Sequence, residues 1–342
     1  MLPDDLLLLI FKLLKVGELV GCKRVLKHWN QLINSHAKIL PKKPLNRLIF
    51  EKKTIERRWF PLRDILLKQQ CENRVSIEIS GAPVVTRVVD GTYFLENLRH
   101  CTVSNILIDK TWEPNVGKLL LDLSSPCIDL RTKCISFRNT DFAGVSEDLL
   151  NNFLLRQGSL VRNLRFFGIK NGSDCVSDRI LSNTGRIQNL VIVDDLKRRF
   201  ESDEESRIMA FPKITDDTLF LLARQGSPIK AVNLTSCGVT EEAVLSLIEA
   251  WNNYESESAA KCSIVFFDCY LEKEKIRNGC SELGLSVVDR RSLEVRTTAL
   301  RKRLLIHFPS SRMPAERQWF LKYERYFQNF LFDSCCREES SY

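Results

Sequence analysis

The chain has 342 residues, of which 44% are hydrophobic and 27% charged, and its formal net charge is +8. This composition is typical of a globular protein with room for one large or two ordinary domains. No apolar run reaches the ~18 residues that a membrane-spanning helix needs. Acidic residues at positions 4 and 5 also argue against a secretory signal. We expect an intracellular protein, cytoplasmic or nuclear, without a membrane partner.

The sequence contains no pattern that binds a metal or performs catalysis. The twelve cysteines include no C-x-x-C pair, and the four histidines lie far apart. There is no Gly-rich phosphate loop, no G-x-S-x-G and no H-E-x-x-H motif. We therefore predict no enzyme, no catalytic residue, no cofactor and no metal site. Most cysteines are expected to be free and buried.

Positive charge is concentrated near the two ends of the chain. Residues 1–60 carry thirteen Lys and Arg against five acidic residues, and residues 290–326 carry ten against three. Residues 61–289 have a net charge of −5. Basic segments leave nucleic-acid binding open as an alternative. The first of them flanks an apolar helical region, however, which makes nucleic acid the less favoured partner.

The first 34 residues contain more apolar side chains than they can bury. Pro3, followed by Asp4 and Asp5, predicts the start of a helix. The apolar residues that follow cover all faces of this helix: Leu6, Leu7, Leu8, Leu9, Ile10, Phe11, Leu13 and Leu14. A second apolar stripe comprises Leu19, Cys22, Leu26, Trp29 and Ile33. About forty residues are too few for such a core, so the surplus predicts a docking face for another protein.

The same residues carry a family resemblance. The string L-P-x-x-L-L-x-x-I-F-x-x-L from Leu2 to Leu14, followed by Glu18, Leu19, Val25, Lys27 and Trp29, resembles an F-box. Leu26 departs from the pattern, since many members have Cys there. F-boxes are three-helix modules that dock on the Skp adaptor of cullin–RING ubiquitin ligases. An ordinary helical hairpin packed on its own protein is the alternative.

The resemblance implies a role in ubiquitin ligation, with a Skp adaptor and, through it, a cullin–RING ligase as partners. Pro3 and Trp29 are expected mainly to hold the shape of the module. The full set of residues expected at the adaptor interface is Leu2, Pro3, Leu6, Leu7, Ile10, Phe11, Leu14, Leu19 and Trp29.

The body repeats a short alternating apolar run. The first residues of the runs are Ile77, Ile106, Ile135, Leu164, Leu190, Val232 and Ile264, and the first three steps are 29 residues each. Such a period favours a repeat array. The segment Ile229–Val239 fits the pattern L-x-x-L-x-L-x-x-C-x-L, so the body resembles a diverged leucine-rich-repeat array. An ordinary α/β domain with a regular rhythm is the alternative.

The predicted fold class is thus α/β. A three-helix F-box over 1–40 precedes a linker and capping segment over 41–61, because Pro41 and Pro44 interrupt the helical pattern. A curved leucine-rich-repeat-like solenoid is predicted over 62–290, with helices starting near Val145, Ile214 and Val239. A basic, aromatic, helical C-terminal cap is predicted over 291–342, including Leu293–Phe308. Lys197–Lys213 is predicted to be an inserted surface loop, with a contact or phosphorylation site at Ser202 and Ser206 as its alternative.

We call the first residues of the alternating runs the repeat anchors. The predicted substrate surface is the face of the sheet opposite these anchors. Side chains that alternate with the anchors are expected to point outward as a charged and apolar strip that binds an unknown protein substrate. A register slip of one residue would exchange the inward and outward sets. The predicted strip comprises Arg138, Arg165, Phe167, Val191, Val193, Val265 and Phe267.

The function predicted from these features is that of a substrate-recognition subunit of a Skp–cullin–F-box ubiquitin ligase. Two alternatives stay open. One is an F-box scaffold that does not act in a ligase. The other is a nucleic-acid-binding protein that uses Lys42–Arg58 and Arg290–Arg325.

Overall fold

The computed structural model describes residues 2–55, 70–78, 85–88, 98–110, 116–126, 128, 130–157, 160–195, 209–226, 228–254, 261–289, 292–297 and 302–308. At 52–55, 70–78 and 85–88 it describes the backbone alone. The chain forms two compact units, residues 1–133 and residues 134–342.

Unit 1 combines an N-terminal group of helices with a sheet. Its described helices are α1 (Asp4–Leu13), α2 (Val16–Cys22), α3 (Lys27–Ser35) and α4 (Val116–Leu123). Its described strands are β1 (Lys43–Ile55), β2 (Gln70–Glu78), β3 (Val85–Val88) and β4 (Cys101–Asp109), and they neighbour one another in the order β4-β1-β2-β3. Strand β1 runs parallel to β4 and antiparallel to β2.

The structure of this unit differs from the predictions at two places. Residues 43–55 of the predicted linker and capping segment form β1, a strand with neighbours on both sides. Helix α3 ends at Ser35, before both prolines, and the buried side chains of Leu45, Leu48 and Phe50 hold β1 in the sheet. Ile77 lies on β2, which pairs antiparallel with β1. The 29-residue step from Ile77 to Ile106 is therefore not a step between equivalent parallel strands.

Unit 2 is a larger α/β structure. Its described helices are α5 (Glu147–Gln157), α6 (Arg179–Ser182), α7 (Asp216–Arg224), α8 (Glu241–Asn253) and α9 (Lys273–Glu282). Its described strands are β5 (Cys134–Arg138), β6 (Asn163–Ile169), β7 (Asn189–Asp194), β8 (Phe211–Thr215), β9 (Ala231–Thr235), β10 (Cys237–Gly238), β11 (Lys261–Phe267), β12 (Ser286–Asp289), β13 (Leu293–Arg296) and β14 (Arg303–His307). The main sheet has the order β5-β6-β7-β9-β11-β14-β13-β12, and β8 pairs with β10 separately.

The first five strands of this sheet follow the predicted repeat. They run parallel, and their paired residues are Ile135, Leu164, Leu190, Val232 and Ile264. These are the residues that the alternating pattern places in equivalent positions. The side chains of all five are buried. The predicted register of these five runs is confirmed.

The turn after the strand also repeats. The backbone takes a positive φ between 45° and 64° four residues beyond Ile106, Ile135, Leu164, Val232 and Ile264. These turn residues are Lys110, Asn139, Gly168, Ser236 and Asp268. The turn is hydrogen-bonded to the next strand: the Asn139 amide donates to the Phe167 carbonyl oxygen at 2.8 Å, and the Ser236 amide donates to the Phe267 oxygen at 2.7 Å. Strand and turn thus recur together, although the spacing in sequence varies.

The helix starts near 145, 214 and 239 are confirmed. The Ser146 hydroxyl accepts a hydrogen bond from the Leu149 amide at 3.2 Å, and the Thr215 hydroxyl accepts from Asp217 at 3.4 Å. Thr240 precedes α8 but its hydroxyl instead donates to Asp216 at 2.8 Å. Asp216, in the first turn of α7, therefore also holds the start of α8 in place.

The helical prediction for Leu293–Phe308 is wrong. Strands β13 and β14 occupy 293–296 and 303–307, and they extend the sheet beyond β11. Leu293, Val295, Leu304 and Ile306 alternate along these strands and are buried, so the period is two, which the intervening basic residues obscure. The predicted cap beyond residue 308 and most of the predicted loop, with Ser202 and Ser206, lie outside the described residues.

Candidate functional site

The N-terminal module, residues 2–40, has its own small core. Leu7, Phe11, Leu19, Leu32, Ile33 and Leu40 are buried together, and Leu8, Leu14, Cys22 and Trp29 pack against them. The rings of Phe11 and Trp29 meet edge to face, with centroids 5.7 Å apart. Helix α1 is therefore held to α3 by an aromatic contact.

Polar contacts define the helix starts of the module. Pro3 immediately precedes α1, and Asp4 and Asp5 lie in its first turn, where the helix dipole favours negative charge. The His28 Nε2 atom lies 2.7 Å from the Asp4 carboxylate and so links α3 to the start of α1. The Glu18 carboxylate accepts a hydrogen bond from the Lys15 amide at 2.6 Å, which caps α2.

One face of α1 is apolar and open to solvent. Its exposed fractions are 47% at Leu6, 56% at Leu9, 44% at Ile10 and 87% at Leu13, and Leu2, which extends this face just before the helix, is 54% exposed. Positions 6, 9, 10 and 13 follow the three- and four-residue steps that place side chains on one face of a helix. A contiguous exposed apolar face of this kind is a candidate contact site.

The structure divides the predicted adaptor-binding residues into three groups. Leu2, Leu6 and Ile10 lie on the exposed face, whereas Leu7, Phe11 and Leu19 are buried. The remaining residues, Pro3, Leu14 and Trp29, lie at the start of α1 or pack against the module core. We assign the buried residues a role in holding the module together.

Sequence reasoning missed part of the exposed face. Leu9 and Leu13 belong to it, but the sequence pattern predicts them only to be apolar and does not place them at the interface. Val20, Val25 and Leu26 of the module are also exposed. The available signal was the angular position on α1: residues 7 and 11 share one stripe, and residues 6, 9, 10 and 13 share the other.

The module is attached to the sheet of unit 1 through His100. The Lys23 Nζ atom lies 2.6 Å from His100 Nε2, and Asn34 Oδ1 lies 3.1 Å from the same nitrogen. The Lys43 amide donates to the His100 carbonyl oxygen at 2.8 Å. Burial, and then the positive charges of Lys23, Arg99 and Lys42, lower the pKa of His100 to about 4. The neutral imidazole therefore links the module to the sheet through one hydrogen bond at a time: Nε2 accepts from the Lys23 ammonium in one tautomer and donates to Asn34 Oδ1 in the other.

A second candidate surface is the face of the unit 2 sheet opposite its anchors. The anchors face the helices. Phe137, which lies two positions after the anchor Ile135 and on the same face, meets the ring of Phe153 of α5 edge to face, with the ring centroids 6.5 Å apart. The opposite face contains the predicted substrate strip. Within it Arg138 and Phe167 are half-buried, and the other members are buried: Arg165, Val191, Val193, Val265 and Phe267.

The expectation that this strip is exposed is wrong. Val191 is 1% exposed, Val265 2% and Phe267 1%. Both sets of alternating side chains are therefore buried, as is usual for parallel strands. The register prediction is unaffected, because the anchors pair as expected. Only the exposure of the opposite face differs.

Where the structure describes side chains, the cysteines are free, and each is buried or half-buried. Burial raises the pKa of Cys175 and of Cys262 to about 12, which keeps both thiols protonated and unreactive. Cys237 and Cys269 come within 3.5 Å, and their hydrogen bond raises the pKa of Cys237. Among the described residues no three His, Cys, Asp or Glu side chains are grouped so that they could hold a metal ion.

Comparison with known families identifies the N-terminal module. Residues 1–39 match the family model of the F-box-like domain. A search of curated proteins finds no match to the chain. Of the helices that the structure describes, none has both the length and the apolar content needed to cross a membrane. The chain thus begins with an F-box-like domain, which fits an adaptor role in a ubiquitin ligase.

Proposed function

We propose that the protein is a substrate-recognition subunit of a Skp–cullin–F-box ubiquitin ligase. The observation that carries this proposal is the exposed apolar face of α1, formed by Leu2, Leu6, Leu9, Ile10 and Leu13, within the F-box-like domain. Leaving these side chains in water is unfavourable, and a fully buried Leu or Ile gains about 1.5–3 kcal/mol. The face is therefore the surface offered to the Skp adaptor.

In this proposal the chain supplies proximity and no catalytic group. The F-box-like domain binds the adaptor, and the cullin–RING complex brings the charged ubiquitin carrier. A substrate bound by the body is then modified in what is effectively a local reaction. The His100 contacts support this role, because they link the N-terminal module to the sheet of unit 1 and so hold the docking face in a defined orientation relative to that sheet.

The body in this proposal is a diverged leucine-rich-repeat-like array that presents the substrate-binding surface. Support comes from the five parallel strands that pair at equivalent residues and from the recurring positive-φ turn. Stacked units of this kind share one core and offer a continuous sheet face. Arg138 and Phe167, which are half-buried, lie at the accessible part of that face.

The test is adaptor binding by purified full-length variants. Ile10→Asp and Leu13→Asp each place a carboxylate on the docking face, and burying an unpaired charge costs about 3 kcal/mol or more, about a hundredfold in Kd. Leu121→Asp is the matched control, since Leu121 is 63% exposed on α4, outside the module. The proposal expects Leu121→Asp to bind as the wild type does. Equal binding by all the variants would place the interface elsewhere.

A further inference from the structure

We propose that Cys237 and Cys269 form a reversible dithiol–disulfide pair, which a small-molecule disulfide such as oxidised glutathione oxidises. The pair is a redox modification site of unit 2. Its chemistry goes beyond the proposed function and does not depend on adaptor binding.

The first observation is the distance between the two sulfur atoms. Cys237 Sγ and Cys269 Sγ lie 3.5 Å apart, and both thiols are free. The two residues are 32 positions apart in sequence and are brought together by the fold. A disulfide bond is about 2.05 Å long, so the sulfur atoms must approach by about 1.5 Å to form one. Rotation about the side-chain bonds can cover such a distance without a rearrangement of the chain.

The second observation is the backbone that carries the two cysteines. Each cysteine directly follows the positive-φ residue of its turn, Ser236 or Asp268. Cys237 and Cys269 therefore hold equivalent places after β9 and β11, which pair in register up to Phe267. The Ser236 amide donates to the Phe267 carbonyl oxygen at 2.7 Å and joins the two turns. Neighbouring strands lie about 4.7–4.9 Å apart, which is within the Cα separation of about 4.4–6.8 Å that a disulfide spans.

The two thiols differ in their access to solvent, which gives them different roles. Cys237 is 2% exposed, whereas Cys269 is half-buried. A small disulfide in solution can therefore reach Cys269 before it can reach Cys237. The hydrogen bond to Cys269, burial, and the negative charge of an ionised Cys269 all raise the pKa of Cys237, so Cys237 keeps its proton while Cys269 reacts. Because the thiolate is the nucleophile, Cys269 is the attacking thiol and Cys237 the resolving thiol.

The oxidation proceeds in two thiol–disulfide exchange steps. The Cys269 thiolate attacks one sulfur of oxidised glutathione, a mixed disulfide forms, the glutathione S–S bond breaks, and one glutathione thiolate leaves. Cys237 then gives up its proton to that thiolate, and its sulfur attacks Cys269 Sγ and releases the second glutathione. The mixed disulfide has no charge and no thiol proton on Cys269, so two of the three causes that raise the pKa of Cys237 are absent in this step. Two cysteine thiols are oxidised and one glutathione disulfide is reduced to two thiols, and excess reduced glutathione reverses the reaction.

The disulfide joins the turn after β9 to the turn after β11. It closes a loop that contains α8 and β11. A cross-link over such a loop restricts the unfolded chain, so oxidation should raise the unfolding temperature of unit 2 by about 5–10 °C.

The test is non-reducing peptide mapping of the purified full-length chain. The chain is reduced, freed of reductant, incubated in buffers of increasing oxidised-to-reduced glutathione ratio, alkylated and digested with trypsin. Trypsin releases Cys237 on residues 231–261, and it releases Cys269 together with Cys262 on residues 262–273. We expect these two peptides to become linked as the ratio rises and to separate again when reduced glutathione is restored.

Three variants assign the linked sulfurs. Cys262→Ala is the matched control and should keep the link, because Cys262 is on the same tryptic peptide but lies at the opposite end of β11 and is 5% exposed. Cys237→Ser should trap glutathione on Cys269, since the resolving thiol is missing. Cys269→Ser should leave Cys237 unmodified, since Cys237 is buried. The unfolding temperature of each reduced variant shows that it is folded.

Three results would overturn the inference. The first is the absence of linked peptides in fully oxidised glutathione. The second is a link that persists in folded Cys269→Ser or disappears in folded Cys262→Ala. The third is an oxidised wild-type chain that unfolds at or below the temperature of the reduced chain, because a disulfide that fits the native turns must stabilise them.

Discussion

Phe11 and Ile10 are adjacent on α1, but truncating Phe11 should lower the stability of the module, whereas truncating Ile10 should lower its affinity for the adaptor. Phe11 is 1% exposed and contacts Trp29, so Phe11→Ala should destabilise the module by about 3–5 kcal/mol. Ile10 is 44% exposed. Ile→Ala removes three carbon groups at about 0.8 kcal/mol each, and less than half of that remains to be gained on docking. Ile10→Ala should therefore weaken adaptor binding by about 1 kcal/mol, or about fivefold, with little change in stability.

Amide hydrogen exchange over α1–α3, measured together with adaptor affinity, distinguishes the two effects. Phe11→Ala should lose exchange protection across all three helices and lose adaptor binding as a consequence. Ile10→Ala should keep wild-type protection and show only the weaker affinity. Protection that is unchanged in Phe11→Ala, or lost in Ile10→Ala, would refute the assignment of Phe11 to the core and Ile10 to the docking face.

Three further variants test other parts of the structure. Lys302 is 3% exposed, and its ammonium donates to the carbonyl oxygens of Trp251, Asn252 and Tyr254 at the end of α8. Lys302→Met should lower the stability of unit 2 by about 3 kcal/mol in chemical denaturation. Lys275→Met, at an exposed ion pair, should leave that stability nearly unchanged. Asn151→Leu should raise the unfolding temperature, because it removes two buried unpaired amide atoms; a lower temperature would show that Asn151 stabilises the core. The pKa of His100 is about 4 in the folded chain against an ordinary 6.5. The unfolded chain therefore takes up the proton first, and the free energy of unfolding should fall as the pH is lowered from about 6.5 to about 4. His100→Gln should reduce this dependence, and an unchanged pH profile in the variant would contradict its assignment to His100.

The N-terminal module was largely predictable because its signals are local. Helical spacing located α1 and both of its apolar faces, and the number of large apolar side chains exceeded what forty residues can bury. The pattern did not separate Leu7 and Phe11 from Leu6 and Ile10, since all four are large and aliphatic or aromatic. That separation depends on where α3 packs, through Trp29, which is a tertiary property.

The body shows where alternation is informative and where it fails. Ile135, Leu164 and Val232 occupy equivalent paired positions, as their period predicts. Ile77 shares the period but belongs to an antiparallel strand, because alternation carries no information about strand direction. Strand β14 was mistaken for a helix, because basic residues flank its alternating apolar residues. The burial of Asn233 was also unpredictable, since a polar residue on a strand normally faces solvent.

The affinity of the purified full-length chain for a purified Skp adaptor tests the proposed function most directly. We expect a one-to-one complex that is lost in the double variant Ile10→Asp/Leu13→Asp and retained in Leu121→Asp. The double variant should keep the exchange protection of α1–α3, which shows that the module is still folded. Failure of the wild-type chain to bind the adaptor, or full binding by the folded double variant, would contradict the claim that the exposed face of α1 is an F-box docking surface.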